Sequence, residues 1–154
     1  MQDVEKRDSM STAKHRAVLS IGSNIDPERH FKQCSDILQQ ETTLLGEATV
    51  IQTAPDGYQA QPDFLNGACY LETGLPYNEF NAYLKAVEKR LGRVKGPIKS
   101  GPRTIDLDII LWDGEVVHDD YYHKQYVIGP VNELVERYNI TIISDLPPPK
   151  RQNP

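Results

Sequence analysis

The stretch that most constrains the fold of this chain lies at residues 105–111, IDLDIIL, where two aspartates interrupt an apolar segment. Because side chains on a strand alternate between its two faces, the pattern predicts a strand with one wholly apolar face. That face holds Ile105, Leu107, Ile109 and Leu111, and the other holds Thr104, Asp106, Asp108, Ile110 and Trp112. Aspartate is a poor strand former, and two like charges about 7 Å apart on one face repel each other. The pair therefore predicts a bound cation.

A run of positive charge leads directly into this strand. Residues 89–103, KRLGRVKGPIKSGPR, contain no acidic residue and several basic ones, namely Lys89, Arg90, Arg93, Lys95, Lys99 and Arg103. An isolated basic run is usually a solvated loop, but this one adjoins the aspartate pair. Arginine and lysine bind phosphate oxygens, and Mg²⁺ is bound by carboxylates and phosphates. Together the two features predict a site for a metal-chelated polyphosphate.

Length and charge limit the classes of protein to consider. The chain has 154 residues, enough for one domain with a buried core, and no apolar run reaches the roughly 18 residues of a membrane span. Its net charge of −5 argues against a general nucleic-acid binder. The charged N-terminus lacks an apolar signal segment. We therefore expect a cytoplasmic monomer without membrane or nucleic-acid partners, with a disordered leader at 1–15, one domain at 16–145 and a disordered tail at 146–154.

The order of the predicted elements indicates the fold class. Strands are expected at 17–21, 47–53, 68–73 and 105–111, with helices beginning at Pro27 and Pro76. A hairpin turn at Asp113-Gly114, a short last helix and a final strand at 140–143 follow. The resulting β-α-β-β-α-β order is typical of α+β proteins with a ferredoxin-like antiparallel sheet, helices on one face, and here a short C-terminal αβ addition. Cys34 and Cys69 lie among apolar residues, which indicates buried free thiols.

Three motifs resemble one enzyme family. They are VLSIGSN at 18–24, QPDFLN at 61–66 and GPRTIDLDIIL at 101–111, and they occur in the order found in the 6-hydroxymethyl-7,8-dihydropterin pyrophosphokinases of folate biosynthesis. The third motif is the most specific, and the resemblance covers roughly residues 17–135. It implies transfer of pyrophosphate from ATP to the hydroxymethyl oxygen of the pterin, with AMP as the leaving group.

The resemblance also implies how the polyphosphate is bound. Asp106 and Asp108 would bind two Mg²⁺ ions that bridge the phosphates of ATP. Arg103 would bind phosphate, and Arg93, Lys95 and Lys99 lie on the loop that closes over ATP in the family. Arg103 and Lys99 therefore count with the aspartates among the expected catalytic residues. Glu88 matches an acidic ATP-site position on the second helix.

For the pterin, the resemblance implies an aromatic sandwich. Phe64 matches one of the two rings, and Tyr126 matches the other. Asn66 matches the asparagine whose amide pairs with the pterin edge, since an amide offers a donor and an acceptor together. Backbone groups around Ala54 and Asp56 would complete the pocket.

The sequence departs from the family mainly in the nucleotide half of the site. Ser100 replaces a common aromatic residue of the lid, and Lys99 replaces a common arginine, which removes a planar fork of donors. The segment after Gly114 is several residues short and lacks a family proline. Within it, Lys124 stands where an arginine is expected, and either His118 or His123 is the expected ATP-site histidine, with His118 preferred on spacing.

These departures leave two further hypotheses beside the active enzyme. One is a relative without catalytic activity that binds pterin or nucleotide as a regulatory or partner subunit. The other is a ferredoxin-like nucleic-acid module using the basic loop, against which the acidic net charge argues.

Overall fold

The computed structural model of the chain describes residues 13–94, 96–98 and 100–143. The tail predicted at 146–154, the first twelve residues of the predicted leader, Lys95 and Lys99 lie outside them. The first strand begins at His15, two residues before the start predicted at Ala17. There the imidazole ring stacks on Trp112 with ring centroids 4.8 Å apart, and its Nδ1 lies 2.7 Å from Asp113 Oδ2.

Six strands form one antiparallel sheet within the described residues. They are β1 (His15–Ser23), β2 (Thr43–Glu47), β3 (Ile51–Thr53), β4 (Phe64–Thr73), β5 (Asp106–Trp112) and β6 (Glu115–Val116). The order across the sheet is β2-β4-β1-β5-β6, and β3 also pairs with β4. The helices are α1 (Pro27–Glu41), α2 (Tyr77–Arg90), α3 (Asp120–His123) and α4 (Gln125–Arg137). The α+β class is confirmed, and this order is compatible with a ferredoxin-like fold.

Helices cover both faces of the sheet, whereas one covered face was predicted. Buried residues of α1 and α2 pack with β1, β4 and β5 on one face, including Leu38, Phe80 and Leu84. On the other face α4 packs with Val127, Val131 and Leu134 toward Val18 and Ala68. Since α4 supplies a second apolar stripe, both faces of β1, β4 and β5 are buried.

Strand β5 switches faces near its end, which corrects part of the alternation predicted for it. Leu19 pairs with Ile109, but the preceding Val18 pairs with Leu111, so Ile110 is an extra residue on β5. Because a bulge adds one residue to the strand, every side chain beyond it points to the face opposite the one that simple alternation predicts. Leu111 therefore joins Ile110 under α4, and Trp112 turns to the α2 face. Ile105, Leu107 and Ile109 share one face as predicted.

The strand predicted at 47–53 is divided in two. Glu47 pairs with Cys69 and Ile51 with Asn66, so the segment between them has one more residue than the facing segment of β4. Within this longer segment, the backbone N–H of Thr49 bonds outside the sheet and donates to the Glu133 carboxylate of α4 at 3.0 Å. The break gives β3 its own register beside the start of β4.

The strand predicted at 140–143 is absent from the described residues. Asn139 has a positive φ of 53° just after α4, and the chain then turns toward the β5–β6 hairpin. Ile143 N–H donates to Gly114 O at 2.9 Å, so a single backbone hydrogen bond replaces the expected ladder. Within the described residues, the C-terminal addition therefore contributes helices and no strand.

The cysteine prediction is confirmed, and the helices are of ordinary length. Cys34 and Cys69 are buried and free. Burial raises the pKa of the Cys34 thiol to about 12. Among the described residues, no helix combines the length and the apolar character that crossing a membrane requires.

Candidate active site

A pocket opens on the α4 face of the sheet, where the central strands end near the N-terminus of α4. Eight of the residues predicted from sequence line it: Ala54, Asp56, Phe64, Asn66, Arg103, Asp106, Asp108 and Tyr126. They come from four separate segments of the chain. The pocket also contains residues that sequence reasoning missed, including Ser20, Thr53 and Asp120.

The register of the sheet places the two aspartates in this pocket. Asp106 is opposite Gly22 of β1, and Asp108 is opposite Ser20. Gly22 is in turn opposite Asn66 of β4. A Cβ atom at position 22 would lie only 3.3 Å from Asn66 Oδ1, so the glycine of the GSN motif leaves space for that amide.

Asp106 is held by two arginines. Arg93 Nη1 donates to one of its oxygens at 2.8 Å, and Arg103 Nη1 lies 3.3 Å from the other. Burial alone would raise the pKa of Asp106, but Arg93, with Lys85 and Arg103, outweighs that effect and lowers the pKa below its usual value. Asp106 is therefore a carboxylate at neutral pH.

Asp108 differs from its neighbour in its charge environment. Burial and the negative charge of Asp106 raise its pKa to about 6, while Lys85 and His118 oppose the rise. Lys85 Nζ lies 3.7 Å from Asp108 Oδ1. Two carboxylates on one strand face thus differ in proton affinity, as expected where like charges share a site.

This difference gives a direct prediction for the metal-free protein. Carboxyl-carbon NMR should show Asp108 titrating near pH 6, well above an ordinary aspartate. Asp106→Asn removes the neighbouring negative charge and should lower the pKa of Asp108. Asp36→Asn, on the exposed side of α1, is the control and should leave the titration of Asp108 in place. An Asp108 midpoint near 4 in the wild type would contradict the assigned environment.

Glu88 lies beneath the strand, and it does not line the pocket. It is only 4% exposed, and its Oε2 accepts a hydrogen bond from Leu107 N–H at 2.7 Å. The same carboxylate pairs with Lys85 and with Arg93, each at 3.1 Å. Lys85 Nζ also donates to Leu107 O at 2.9 Å. Glu88 and Lys85 therefore bind the backbone between the two aspartates.

Lys85 was not predicted from the sequence, although a signal existed. It precedes Glu88 by three residues on α2, so both side chains lie on one side of that helix. Because Glu88 was already assigned to the site, its spacing from Lys85 was the one signal that could have indicated Lys85.

The aromatic side of the pocket is formed by Phe64 and Tyr126. The Arg103 guanidinium lies 5.3 Å from the Phe64 ring centroid. Tyr126 Oη donates to Asp56 Oδ2 at 3.4 Å, and Lys124 Nζ lies 2.5 Å from the same oxygen. Lys124, expected at ATP, thus contacts the loop that was expected to bind the pterin.

Asn66 is buried at the floor of this side. Its Nδ2 donates to Thr53 Oγ1 at 2.5 Å, which fixes the amide between β3 and β4. Its Oδ1 faces Gly22. The amide is therefore oriented before any ligand binds.

The two candidate histidines lie in different surroundings. His118 lies close enough to Asp108 that a positive charge on its ring lowers the pKa of that carboxyl, whereas in the neutral ring Nδ1 accepts a hydrogen bond from Asp120 N–H at 3.1 Å. His123 is exposed at the end of α3, with its ring 6.5 Å from that of Tyr122. Neither histidine is among the described residues that line the pocket, and of the two only His118 acts on the pKa of Asp108.

Ser100 occupies the position where an aromatic lid residue was expected. Its carbonyl accepts a hydrogen bond from Gln61 Nε2 at 2.8 Å. A Cβ at Gly57 would lie 3.0 Å from Ser100 Oγ, so the lid end and the 54–63 loop touch here through small groups.

The fold and the site together define a class of protein. A carboxylate pair on a central strand, arginines beside it and an aromatic-lined pocket at the same sheet end are features of an α+β enzyme that transfers phosphate groups. The chain belongs to the 7,8-dihydro-6-hydroxymethylpterin-pyrophosphokinase family, whose sequence profile matches residues 18–136, and is accordingly a pyrophosphokinase. The resemblance seen in the three motifs is thereby confirmed.

Individual relatives agree with this assignment. The 2-amino-4-hydroxy-6-hydroxymethyldihydropteridine pyrophosphokinase of Bacillus subtilis (strain 168) is 33% identical over 132 residues, covering 79% of this chain and 78% of that protein. A protein of the same name from Pseudomonas aeruginosa is 33% identical over 131 residues, covering 77% of this chain and 80% of its own length. The mitochondrial folate synthesis bifunctional protein of Pisum sativum is 32% identical over 136 residues, which are 82% of this chain but 26% of that protein.

Proposed function

We propose that the protein transfers pyrophosphate from ATP to 6-hydroxymethyl-7,8-dihydropterin in folate biosynthesis. The observation that carries the proposal is the pairing, in one pocket, of Asp106 and Asp108 with the aromatic residues Phe64 and Tyr126. The first pair suits a metal-bound polyphosphate, and the second suits a flat aromatic acceptor. In the reaction the pterin hydroxyl oxygen bonds to the β-phosphorus, the bond from that phosphorus to the α,β-bridging oxygen breaks, and AMP and a proton are released.

The donor set fits Mg²⁺. Asp106 and Asp108 offer carboxylate oxygens on one strand face, and the described residues contain no group of three or more acidic, histidine or cysteine residues able to enclose an ion. Mg²⁺ is commonly held by one or two carboxylates together with substrate phosphates, so two aspartates suffice. We propose two ions here, which would neutralise the phosphate charge that develops during transfer.

The basic residues would orient the phosphates. Arg93 and Arg103 both lie within 3.3 Å of Asp106, so their donors already stand at the edge of the pocket. Lys124 and His118 would contribute from the α3–α4 side, and Lys95 and Lys99 are proposed for the lid. Glu88 would support this group through Arg93 and Leu107, since it is buried beneath the strand.

The pterin would lie between Phe64 and Tyr126. Its hydrogen-bonding edge would meet the Asn66 amide and the backbone around Ala54 and Asp56. Because Thr53 already holds the Asn66 amide, little side-chain ordering is required on binding.

The test is the formation of AMP by the purified chain with ATP and Mg²⁺. AMP should appear only when the hydroxymethyl pterin is added, and chelation of the metal should stop it. AMP release without the pterin would contradict the proposal. Absence of turnover together with calorimetric pterin binding would instead identify a relative without catalytic activity.

Replacing one ring tests the pterin side separately. Phe64→Ala should raise the KM for the pterin by about tenfold or more, because loss of a stacked ring costs on the order of 1.5 kcal/mol. Phe64→Tyr keeps the ring and should retain a KM close to that of the wild type. Steady-state kinetics with each substrate varied in turn would reveal the effect. An unchanged pterin KM in Phe64→Ala would contradict the proposed stacking of Phe64 on the pterin.

A further inference from the structure

Two motif residues, one buried and one half-buried, lie beside the pocket without lining it. Asn24 ends the GSN motif and is 5% exposed, and Gln61 begins the QPDFLN motif. Neither is among the described residues that line the pocket. The proposed function gives these two amides no contact with substrate, so the presence of Asn24 and Gln61 at these positions requires another explanation.

Asn24 connects the end of β1 to two other segments. Its Nδ2 donates to Gln61 Oε1 at 2.9 Å and to Pro62 O at 3.0 Å. Its Oδ1 accepts from Arg103 N–H at 3.0 Å, and its own N–H donates to Arg103 O at 3.2 Å. Since one partner is a backbone carbonyl and another is a backbone N–H, only an amide in this orientation satisfies both.

Gln61 extends the connection to the lid. Its Nε2 donates to Tyr58 O at 2.7 Å and to Ser100 O at 2.8 Å. The two amides therefore form a continuous hydrogen-bonded link from the 54–63 loop, through the end of β1, to residues 100–103. One end of this link carries the pterin side of the pocket, and the other end carries Arg103.

We propose that Asn24 and Gln61 are positioning residues that hold Arg103 and the 54–63 loop in one fixed relation, so that the phosphate and pterin sides of the pocket form together. This inference rests on the proposed function. Arg103 lies 3.3 Å from Asp106 and 5.3 Å from the Phe64 ring centroid, so its backbone position affects both sides. A displacement of about 1 Å at such a residue can lower a rate by roughly 100-fold.

Two isosteric substitutions test the link. Asn24→Asp places an oxygen against Gln61 Oε1 and Pro62 O, and Gln61→Glu places one against Tyr58 O and Ser100 O. Each should lower kcat/KM by about 100-fold and raise the KM for both substrates. A purely structural role would instead reduce the amount of active enzyme and leave both KM values unchanged.

Alanine variants and a matched control keep the proposal testable if the isosteric variants fold poorly. Asn24→Ala and Gln61→Ala act on one link, so the double variant should lose little more than either single variant. Gln52→Ala removes an amide contact on the exposed side of the same region, to Asp63 Oδ2 at 3.1 Å, and should behave as the wild type. Additive losses, or wild-type KM values in folded Asn24→Ala, would overturn the proposal.

Hydrogen exchange separates this inference from the proposed function. Asn24→Ala should speed exchange of the Arg103 amide by at least about tenfold, because that N–H loses its acceptor. The measurement needs no substrate. If the wild type formed no AMP, the proposed function would fail while exchange still tested the link; unchanged exchange at Arg103 would contradict the link itself.

Discussion

Asp106→Asn and Asp108→Asn are each expected to lower the rate of AMP formation by about 1,000-fold. An asparagine keeps the shape of the side chain but removes the anionic oxygen that a metal-bound polyphosphate requires, and such a loss is worth roughly 4 kcal/mol in the transition state. The rate of AMP formation from ATP, Mg²⁺ and the pterin can be measured by a chromatographic assay.

Asp113→Asn is the matched control for this pair of substitutions. Asp113 follows the same strand, has a φ of 51° that asparagine tolerates, and accepts a hydrogen bond from Arg16 N–H at 2.8 Å outside the pocket. It should retain nearly full activity. If either pocket variant retained more than about a tenth of wild-type activity, its aspartate would not be a metal ligand.

The same two variants should differ in stability. Because the pKa of Asp108 is raised on folding, its ionisation costs stability as the pH rises through about 6, and Asp108→Asn should be at least as stable as the wild type at pH 8. The pKa of Asp106 is lowered on folding, so its ion pairs contribute stability above its ordinary pKa. Asp106→Asn should therefore unfold at lower denaturant concentration at pH 8.

Glu88→Ala is expected to reduce the free energy of unfolding by about 3 kcal/mol. The substitution leaves Leu107 N–H without its acceptor and removes the partner of Lys85 and Arg93 from a buried position. Glu88→Gln retains an acceptor and should cost about 1 kcal/mol. Urea unfolding followed by circular dichroism provides both values.

Glu79→Ala serves as the control for that measurement. Glu79 is an exposed acidic residue in the first turn of the same helix, and its loss should cost less than about 1 kcal/mol. If Glu88→Ala cost no more than Glu79→Ala, the contact with β5 would contribute no measurable stability.

The alternation of residues 105–109 correctly predicted which side chains share a face in the first half of β5. It could do so because successive side chains on a regular strand point to opposite faces. The bulge at Ile110 could not be predicted in this way. Ile110 and Leu111 are both apolar, so either register gives an acceptable core, and only the pairing with Val18 and Leu19 of β1 decides between them. The division of β2 from β3 likewise depends on a contact between Thr49 and Glu133, 84 residues apart.

The same limit applies to the residues of the candidate site: local sequence patterns could be predicted, and long-range contacts could not. Motif residues that line the pocket, such as Asn66 and Asp106, were found because a family pattern names them. Lys85 and the contact between Lys124 and Asp56 were missed, since each depends on which side chains the tertiary fold brings together. The charge of each residue was visible in the sequence, but its partner was not.

The contacts of α2 with β5 have a consequence for how the molecule behaves among other copies of itself. Among the described residues, strand β6 pairs with Leu111 and Trp112, and Val117 N–H just after it donates to Ile110 O at 2.9 Å, so this hairpin does not reach the earlier part of β5. Just before β5, Arg93 Nη1 donates to Ile105 O at 3.3 Å, and within it Glu88 accepts from Leu107 N–H while Lys85 donates to Leu107 O. An uncovered strand edge is a template for intermolecular β-pairing, and charged side chains are a common protection against it. We therefore expect the residues that hold the aspartates in place to protect this edge from intermolecular β-pairing as well.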